Sequence, residues 1–194
     1  IRNCDWSSDV CSSDLPHYKN PAHPVFIADA GRIKRIETCL GTGESFYRAM
    51  AQLGFKDWTG KNLVIFGSGK VGTGLITYAH QLGARISVVT EPSTISARLN
   101  TLTDVTWIAF NDKAAVEKAV AAAHAVVTAT GVAGAATYAA DARAYTESRA
   151  LLANMGVEDE YGPGVPASRV LEGKRPLNFI LTEPTLMKYI DATM

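Results

Sequence analysis

The sequence has little of what marks a chain for a specialised setting. Its 19 lysines and arginines are matched by 19 aspartates and glutamates, a formal net charge of zero. That leaves no electrostatic case for a nucleic-acid partner or an anionic membrane. Cysteine is scarce: of three, Cys4 and Cys11 lie in the first fifteen residues and Cys39 stands alone after them. One cysteine makes neither an internal disulfide nor a zinc site, so no metal is expected and a reducing, cytoplasmic setting is. No apolar run approaches the roughly 20 residues that span a bilayer. No basic start leads into an apolar stretch of signal-peptide length. Internal repeats and low-complexity tracts are missing too. What remains is a chain of 194 residues, 47% hydrophobic and 20% charged, the composition of a globular domain able to bury a core.

Residues 1–15 repeat Ser-Ser-Asp and show no periodicity, and "DVCSSDL" written back as codons looks like a sequencing-library adapter. This stretch is expected to be adapter-derived or a disordered tail, outside the fold. Beyond it, strands and helices alternate. "PVFIAD" (24–29) suits a short extended piece, and Phe46, Met50 and Leu53 follow at helical spacing with Gly54 placed to end the helix. "NLVIF" (62–66) is the continuous apolar run of a buried strand. Val71, Leu75, Tyr78, Ala79 and Leu82 make one helical face, closed by Gly83. Then come a strand at 85–89, a short helix at 94–99, and a strand at 105–110. Asn111 is placed to cap a helix carrying Val116, Ala119, Val120 and Ala123. Strands at 125–130, 150–154 and 177–181 precede a last helix with Leu186, Ile190 and Met194, and "EYGPGVP" (160–166) reads as a loop. Such alternation predicts a parallel sheet covered on both faces.

Between the first buried strand and its helix lies Gly67-Ser68-Gly69-Lys70-Val71-Gly72, a G-x-G-x-x-G. In a strand–turn–helix context, Gly67 permits a tight turn, Gly69 lets backbone approach a pyrophosphate, and Gly72 lets the helix pack on the strand. The helix start adds free N–H groups and a positive dipole end. Glu91 lies 19 residues past Gly72, just beyond the second strand, where an acid accepts hydrogen bonds from ribose hydroxyls and disfavours a 2′-phosphate. The expectation is NAD; Arg98 and Ser93 leave NADP open. Two later strand ends, "TATG" (Thr130 and Gly131) and "NMG" (Asn154, Met155 and Gly156), carry small or hydrogen-bonding residues at the edge where such sheets bind ligands. Turn chemistry alone accounts for either one taken singly. The fold class is therefore α/β: a Rossmann, doubly wound parallel sheet in three α/β/α layers, with a lead-in segment and helix over 16–60 and the NAD(P)-binding domain over 61–194.

The ordered series "GTGES…GKNLVIFGSGKVGTG…VVTE…VVTATG…ANMGVED…LNFILTEP" resembles the NAD-binding domain of S-adenosylhomocysteine hydrolase (adenosylhomocysteinase). The resemblance covers about residues 24–189 and implies a tightly held NAD that oxidises and re-reduces a nucleoside hydroxyl around a hydrolytic step. It gives Gly69, Lys70 and Val71 as pyrophosphate contacts, Glu91 as ribose ligand, and Thr130, Met155, Gly156 and Asn178 as cofactor contacts. Departures fall on the chemistry. The family's "GHFD" is Gly156-Val157-Glu158-Asp159, its "GHP" is Thr182-Glu183-Pro184, and an Asp-Asn pair is Glu37-Thr38. The upstream catalytic lysine falls on Ile33, unless Lys34 substitutes with a one-residue shift. Replacing histidine by valine or glutamate changes charge and titration range. Catalytic candidates are thus Glu37, Asp159 and Glu183. The family's substrate domain and C-terminal tail have no counterpart, so the chain reads as a fragment of a longer, homo-oligomeric parent acting on a small nucleoside-like substrate, and as inactive by itself.

Other polar residues carry plainer expectations. The run Glu158, Asp159, Glu160 reads as a solvated acidic loop, with substrate hydroxyl binding or base work as its functional alternative. His80 and His124 read as structural or exposed, and Cys39 as a buried apolar residue rather than a reactive thiolate. Two functions remain open: an NAD-dependent, adenosylhomocysteinase-like enzyme, or a non-catalytic dinucleotide-binding or regulatory module. A dehydrogenase of another small hydroxy compound is a further alternative.

Overall fold

The computed structural model describes residues 31–156 and 158–172. The extended piece at 24–29, the strand at 177–181, the last helix, and the candidates Asn178 and Glu183 lie outside the described residues.

Strand β1 (Asn62–Phe66) pairs in parallel with β2 (Arg85–Thr90) on one side and β4 (Ala125–Thr128) on the other. β3 (Val105–Ala109) adds outside β2, while β5 (Leu151–Asn154) and β6 (Val170–Glu172) continue beyond β4. The order is β3-β2-β1-β4-β5-β6, all parallel, with the order of strand addition switching sides between β1 and β4. Both faces are covered, which is why the strands read as continuous apolar runs. Successive side chains alternate faces. Leu63 and Ile65 join a core with Phe46, Met50, Trp58, Leu75, Ile76 and Ala79. Val64 and Phe66 join the opposite one with Val116, Val120, Ala139, Tyr145 and Tyr161. Helices α2 (Thr42–Gln52) and α3 (Lys70–Gln81) thus cover one face; α4 (Lys113–Ala121), α5 (Ala135–Ala139) and α6 (Ala142–Thr146) cover the other. The three-layer, doubly wound expectation holds.

The lead-in helix begins earlier than its glycine-rich stretch suggests. α1 (Arg32–Ile36) runs through a π-helical turn (Glu37–Gly41) into α2, with right-handed helical dihedrals at Ile36, Gly41 and Thr42. It ends at Gly54, φ +98°. A Cβ on Gly43 would strike the backbone of Gly74, and one on Gly74 would strike the carbonyl of Cys39. The second glycine of "GTG" in α3 therefore serves helix–helix contact. Leu53 and Leu82, expected on apolar faces, are 55% and 38% exposed because each lies past the last helical residue.

Local hydrogen bonding overturns two further expectations. The helix expected at 94–99 is instead two 3₁₀ turns, Pro92–Thr94 and Leu99–Thr101. Thr94 Oγ1 donates to the Glu91 carbonyl at 2.7 Å, and Ser96 Oγ accepts from Leu99 N at 3.4 Å, side-chain bonds that compete with a helical ladder. The cap of α4 is Asp112, not Asn111; its Oδ1 accepts from Ala115 N at 3.1 Å. β6 has three residues, too few to show a period in the sequence.

Candidate dinucleotide-binding site

Among the described residues the six strands all run the same way, so their carboxyl ends form one edge. At that edge the three glycines of the motif have three environments. Gly67, φ +94°, turns the chain out of β1; a Cβ there would lie 2.8 Å from the Ala129 carbonyl and 3.2 Å from Thr130 Cα. A Cβ on Gly72 would overlap the carbonyl of Gly67. Beside Gly69 no atom lies within 4 Å of the place a Cβ would take. Gly67 and Gly72 are required by protein packing, then, and Gly69 faces open space. Gly69 is also the N-cap of α3, in extended conformation and with no side chain capping the helix. The first N–H groups of this 12-residue helix are thus not met by a capping side chain, and they carry the positive end of its dipole. Lys70 is exposed at the first helical position, and Val71 packs its side chain on the core.

Ser68 points inward. Its hydroxyl is 2.9 Å from Thr90 Oγ1 and 3.2 Å from Thr94 Oγ1, which are 3.1 Å apart. Because Thr94 gives its proton to the Glu91 carbonyl, the other two hydroxyls must donate within the triangle. The network ties the glycine loop to the end of β2 and fixes the main chain of Glu91, whose side chain is exposed. Gly67 N donates to the Val89 carbonyl at 2.8 Å, joining the same two loops. Loop and acid therefore share one edge.

The ends of β4 and β5 are joined as tightly. Thr128 Oγ1 donates to Asn154 Oδ1 at 3.0 Å, Gly156 N donates to the same oxygen at 3.2 Å, and Asn154 Nδ2 donates to the Glu158 carbonyl at 2.7 Å. Asn154 and Met155 are buried, Met155 within the core. A Cβ on Gly156 would overlap the carboxylate of Glu160. That carboxylate is wholly buried, which corrects the solvated-loop reading of Glu160. Oε2 accepts from Thr130 N at 2.9 Å and Thr130 Oγ1 at 2.7 Å, and Oε1 accepts from Gly131 N at 2.6 Å. Among the described residues no cation pairs with it. Sequence reasoning missed the burial of Glu160; the clues were Gly156 four residues before it and the apolar Tyr161 and Val165 after it. Gly131, φ +75°, has nothing within 4 Å on its Cβ side, so it separates Glu160 from open space.

Of the catalytic candidates, Glu37 and Asp159 are among the described residues and each has local partners. Asp159 Oδ1 accepts from Tyr161 N at 3.2 Å and Gly162 N at 3.0 Å, capping its own loop. Glu37 lies in the π-helical turn against α3, accepting from Thr38 Oγ1 at 3.2 Å. Ile33 is exposed. His80 Nε2 lies 3.2 Å from Asp104 Oδ1 on the surface, and His124 packs its ring near Phe55 and Trp58. Cys39 is half-buried rather than fully buried; burial pushes its thiol up in pKa, partly opposed by Arg98. Among the described residues no cluster of His, Cys, Asp and Glu could hold a metal ion, and no helix is long and apolar enough to cross a membrane. A recess of about 130 Å³ bounded by Thr77, His80, Arg98 and Leu99 sits at the far end of α3, away from the glycine loop.

The fold recurs in solved structures. A shikimate 5-dehydrogenase from Listeria monocytogenes, in complex with shikimate and NAD, has TM-score 0.54 at 19% identity, over 79% of this chain and 56% of that one. A dipicolinate synthase chain from Bacillus halodurans has TM-score 0.54 at 15% identity, over 83% and 53%. A cinnamyl alcohol dehydrogenase from Sorghum bicolor has TM-score 0.53 at 17% identity, over 80% and 43%. The chain spans about half the length of these structures, and at such identities the likeness is one of fold. No curated protein sequence matches it. Residues 55–161 match the family model described as "Putative NAD(P)-binding". That match takes in the glycine loop, Glu91 and the β4 and β5 ends: the chain belongs to this NAD(P)-binding family.

Proposed function

We propose that the chain is the NAD-binding domain of an adenosylhomocysteinase-like enzyme acting on a nucleoside-like hydroxyl. The observation that carries the cofactor reading is the open space beside Gly69 at the uncapped start of α3, with Glu91 at the same edge. The amides from Gly69 to Val71 would hold the diphosphate, Glu91 the adenosine ribose, and the Thr130–Gly131 turn would border the nicotinamide half. Bound there, the cofactor supplies a hydride acceptor for a substrate hydroxyl. The ordered motif series supports the finer family reading.

A second reading, a dinucleotide-binding module without catalysis, is favoured by Asp159, whose carboxylate is committed to two backbone amides. Titration calorimetry tests the shared part. NAD+ should bind at micromolar or weaker affinity and NADP+ more weakly by about tenfold or more, a difference of about 1.4 kcal/mol. Gly69→Val should abolish binding by filling the cradle. Heat with NADP+ alone would overturn the Glu91 assignment, and unchanged affinity in Gly69→Val would overturn the cradle. Absorbance at 340 nm with adenosine-like compounds, measured on the longer parent protein that this reading expects, then separates the readings, since only an enzyme reduces its cofactor.

A further inference from the structure

We infer that Glu160 biases the site toward the oxidised dinucleotide; this rests on the dinucleotide reading above. The carboxylate is wholly buried, lies at the carboxyl edge, and among the described residues has amide and hydroxyl donors but no cation. Hydrogen bonds satisfy its lone pairs without cancelling its net charge. A buried, unpaired charge exerts a field that water screens poorly.

The direction of that field follows from the order of the strands. The glycine loop leaves β1, and Glu91 directly follows β2 on one side of it, so the adenosine half belongs over β2. The other half must then cross the switch point toward β4 and β5, where Thr130 lies against Gly67. Gly131 has Glu160 hydrogen-bonded to its amide and open space on its Cβ side. The carboxylate is thus covered by the amides of Thr130 and Gly131 and the Thr130 hydroxyl, with no side chain at residue 131 to add to them.

The two redox forms differ in the charge of the nicotinamide ring, positive when oxidised and neutral when reduced. A negative charge beside this half of the crevice therefore stabilises the oxidised form selectively. By linkage, a site that holds the oxidised form more tightly also resists reduction of what it holds. Thr130 and Gly131 orient the carboxylate, and Gly156 makes room for it. Any side chain at residue 156 would displace it.

The test is the ratio Kd(NADH)/Kd(NAD+), measured by calorimetry on the full chain. The unsubstituted protein should give a ratio of about three or more, the least that a unit charge a few ångströms away contributes even at the dielectric of water. Glu160→Gln, which keeps shape and removes charge, should lower the ratio by about threefold. Glu158→Gln, which removes an exposed charge from the same loop, should leave it unchanged. A ratio at or below one in the unsubstituted protein overturns the inference without any variant, so a Glu160→Gln protein that fails to fold does not shelter it. Binding of both forms with the same ratio in Glu160→Gln also overturns it, while leaving the dinucleotide reading intact. Binding of neither form by the unsubstituted protein overturns both.

Discussion

At the scale of single residues, the glycine motif separates into positions that serve the protein and one that faces a ligand. Gly72 and Gly69 are three residues apart and chemically identical, yet a methyl group meets a backbone carbonyl at one and open space at the other. Gly72→Ala should therefore cost about 3 kcal/mol through overpacking, a fall in Tm of roughly 6–12 °C for a chain of this size. Gly69→Val should cost at most about 1 kcal/mol, the penalty of a poor helix-capping residue. Thermal melts of the two variants side by side check this. Equal loss of stability would mean that Gly69 too is held by packing. The contrast also shows what a motif conceals. G-x-G-x-x-G predicts three functional glycines, but only tertiary structure tells which of them a ligand could use.

At the scale of elements, legibility followed the range of the interactions involved. β1 could be read directly, because a strand buried on both faces is apolar throughout: Leu63, Val64, Ile65 and Phe66 are all buried. The helix after it could be read from its 3.6-residue period. The β2–β3 connection misled, because Thr94 and Ser96 bond their own backbone and no periodicity records that. The burial of Glu160 was barely legible, marked only by Gly156 and its apolar neighbours: the donors that make it tolerable come from 29 and 30 residues away. The close crossing of α2 and α3 belongs to this scale as well. Gly43 and Gly74 let the two backbones meet, and Tyr47 Oη donates to the Leu75 carbonyl at 2.9 Å across the same contact. Gly74→Ala should force the helices apart and lower stability by about 3 kcal/mol. Asp112→Ala, which removes only the cap of α4, should cost about 1 kcal/mol. Urea unfolding of both variants measures the two costs; a Gly74→Ala loss no greater than that of Asp112→Ala would contradict the close-packed crossing.

At the scale of the whole molecule, the two cores are sealed by tyrosines whose hydroxyls bond main-chain carbonyls. Tyr47 sits in the core under α2 and α3, while Tyr145 and Tyr161 sit in the core on the opposite face. Tyr145 Oη donates to the Ala136 carbonyl at 2.6 Å, and Tyr161 Oη donates to the Val126 carbonyl at 2.9 Å. Burial is the main force pushing all three phenols far above their ordinary range. In an unfolded chain a tyrosine ionises near pH 10, whereas here the folded state keeps these protons. The sign follows from proton counts. Below about pH 10 both states are protonated and the stabilisation is fully present; above it the unfolded state releases protons that the folded state retains, so stability falls as pH rises. Each phenol draws in the same direction, and because the two cores share one sheet they should be lost together. An alkaline titration followed at 295 nm should therefore show exposed tyrosines ionising smoothly near pH 10, then a steep step at higher pH coinciding with loss of far-ultraviolet circular dichroism. Smooth ionisation of every tyrosine in a still-folded chain would mean that the phenols of the two cores are open to solvent, and that the sheet is not covered on both sides.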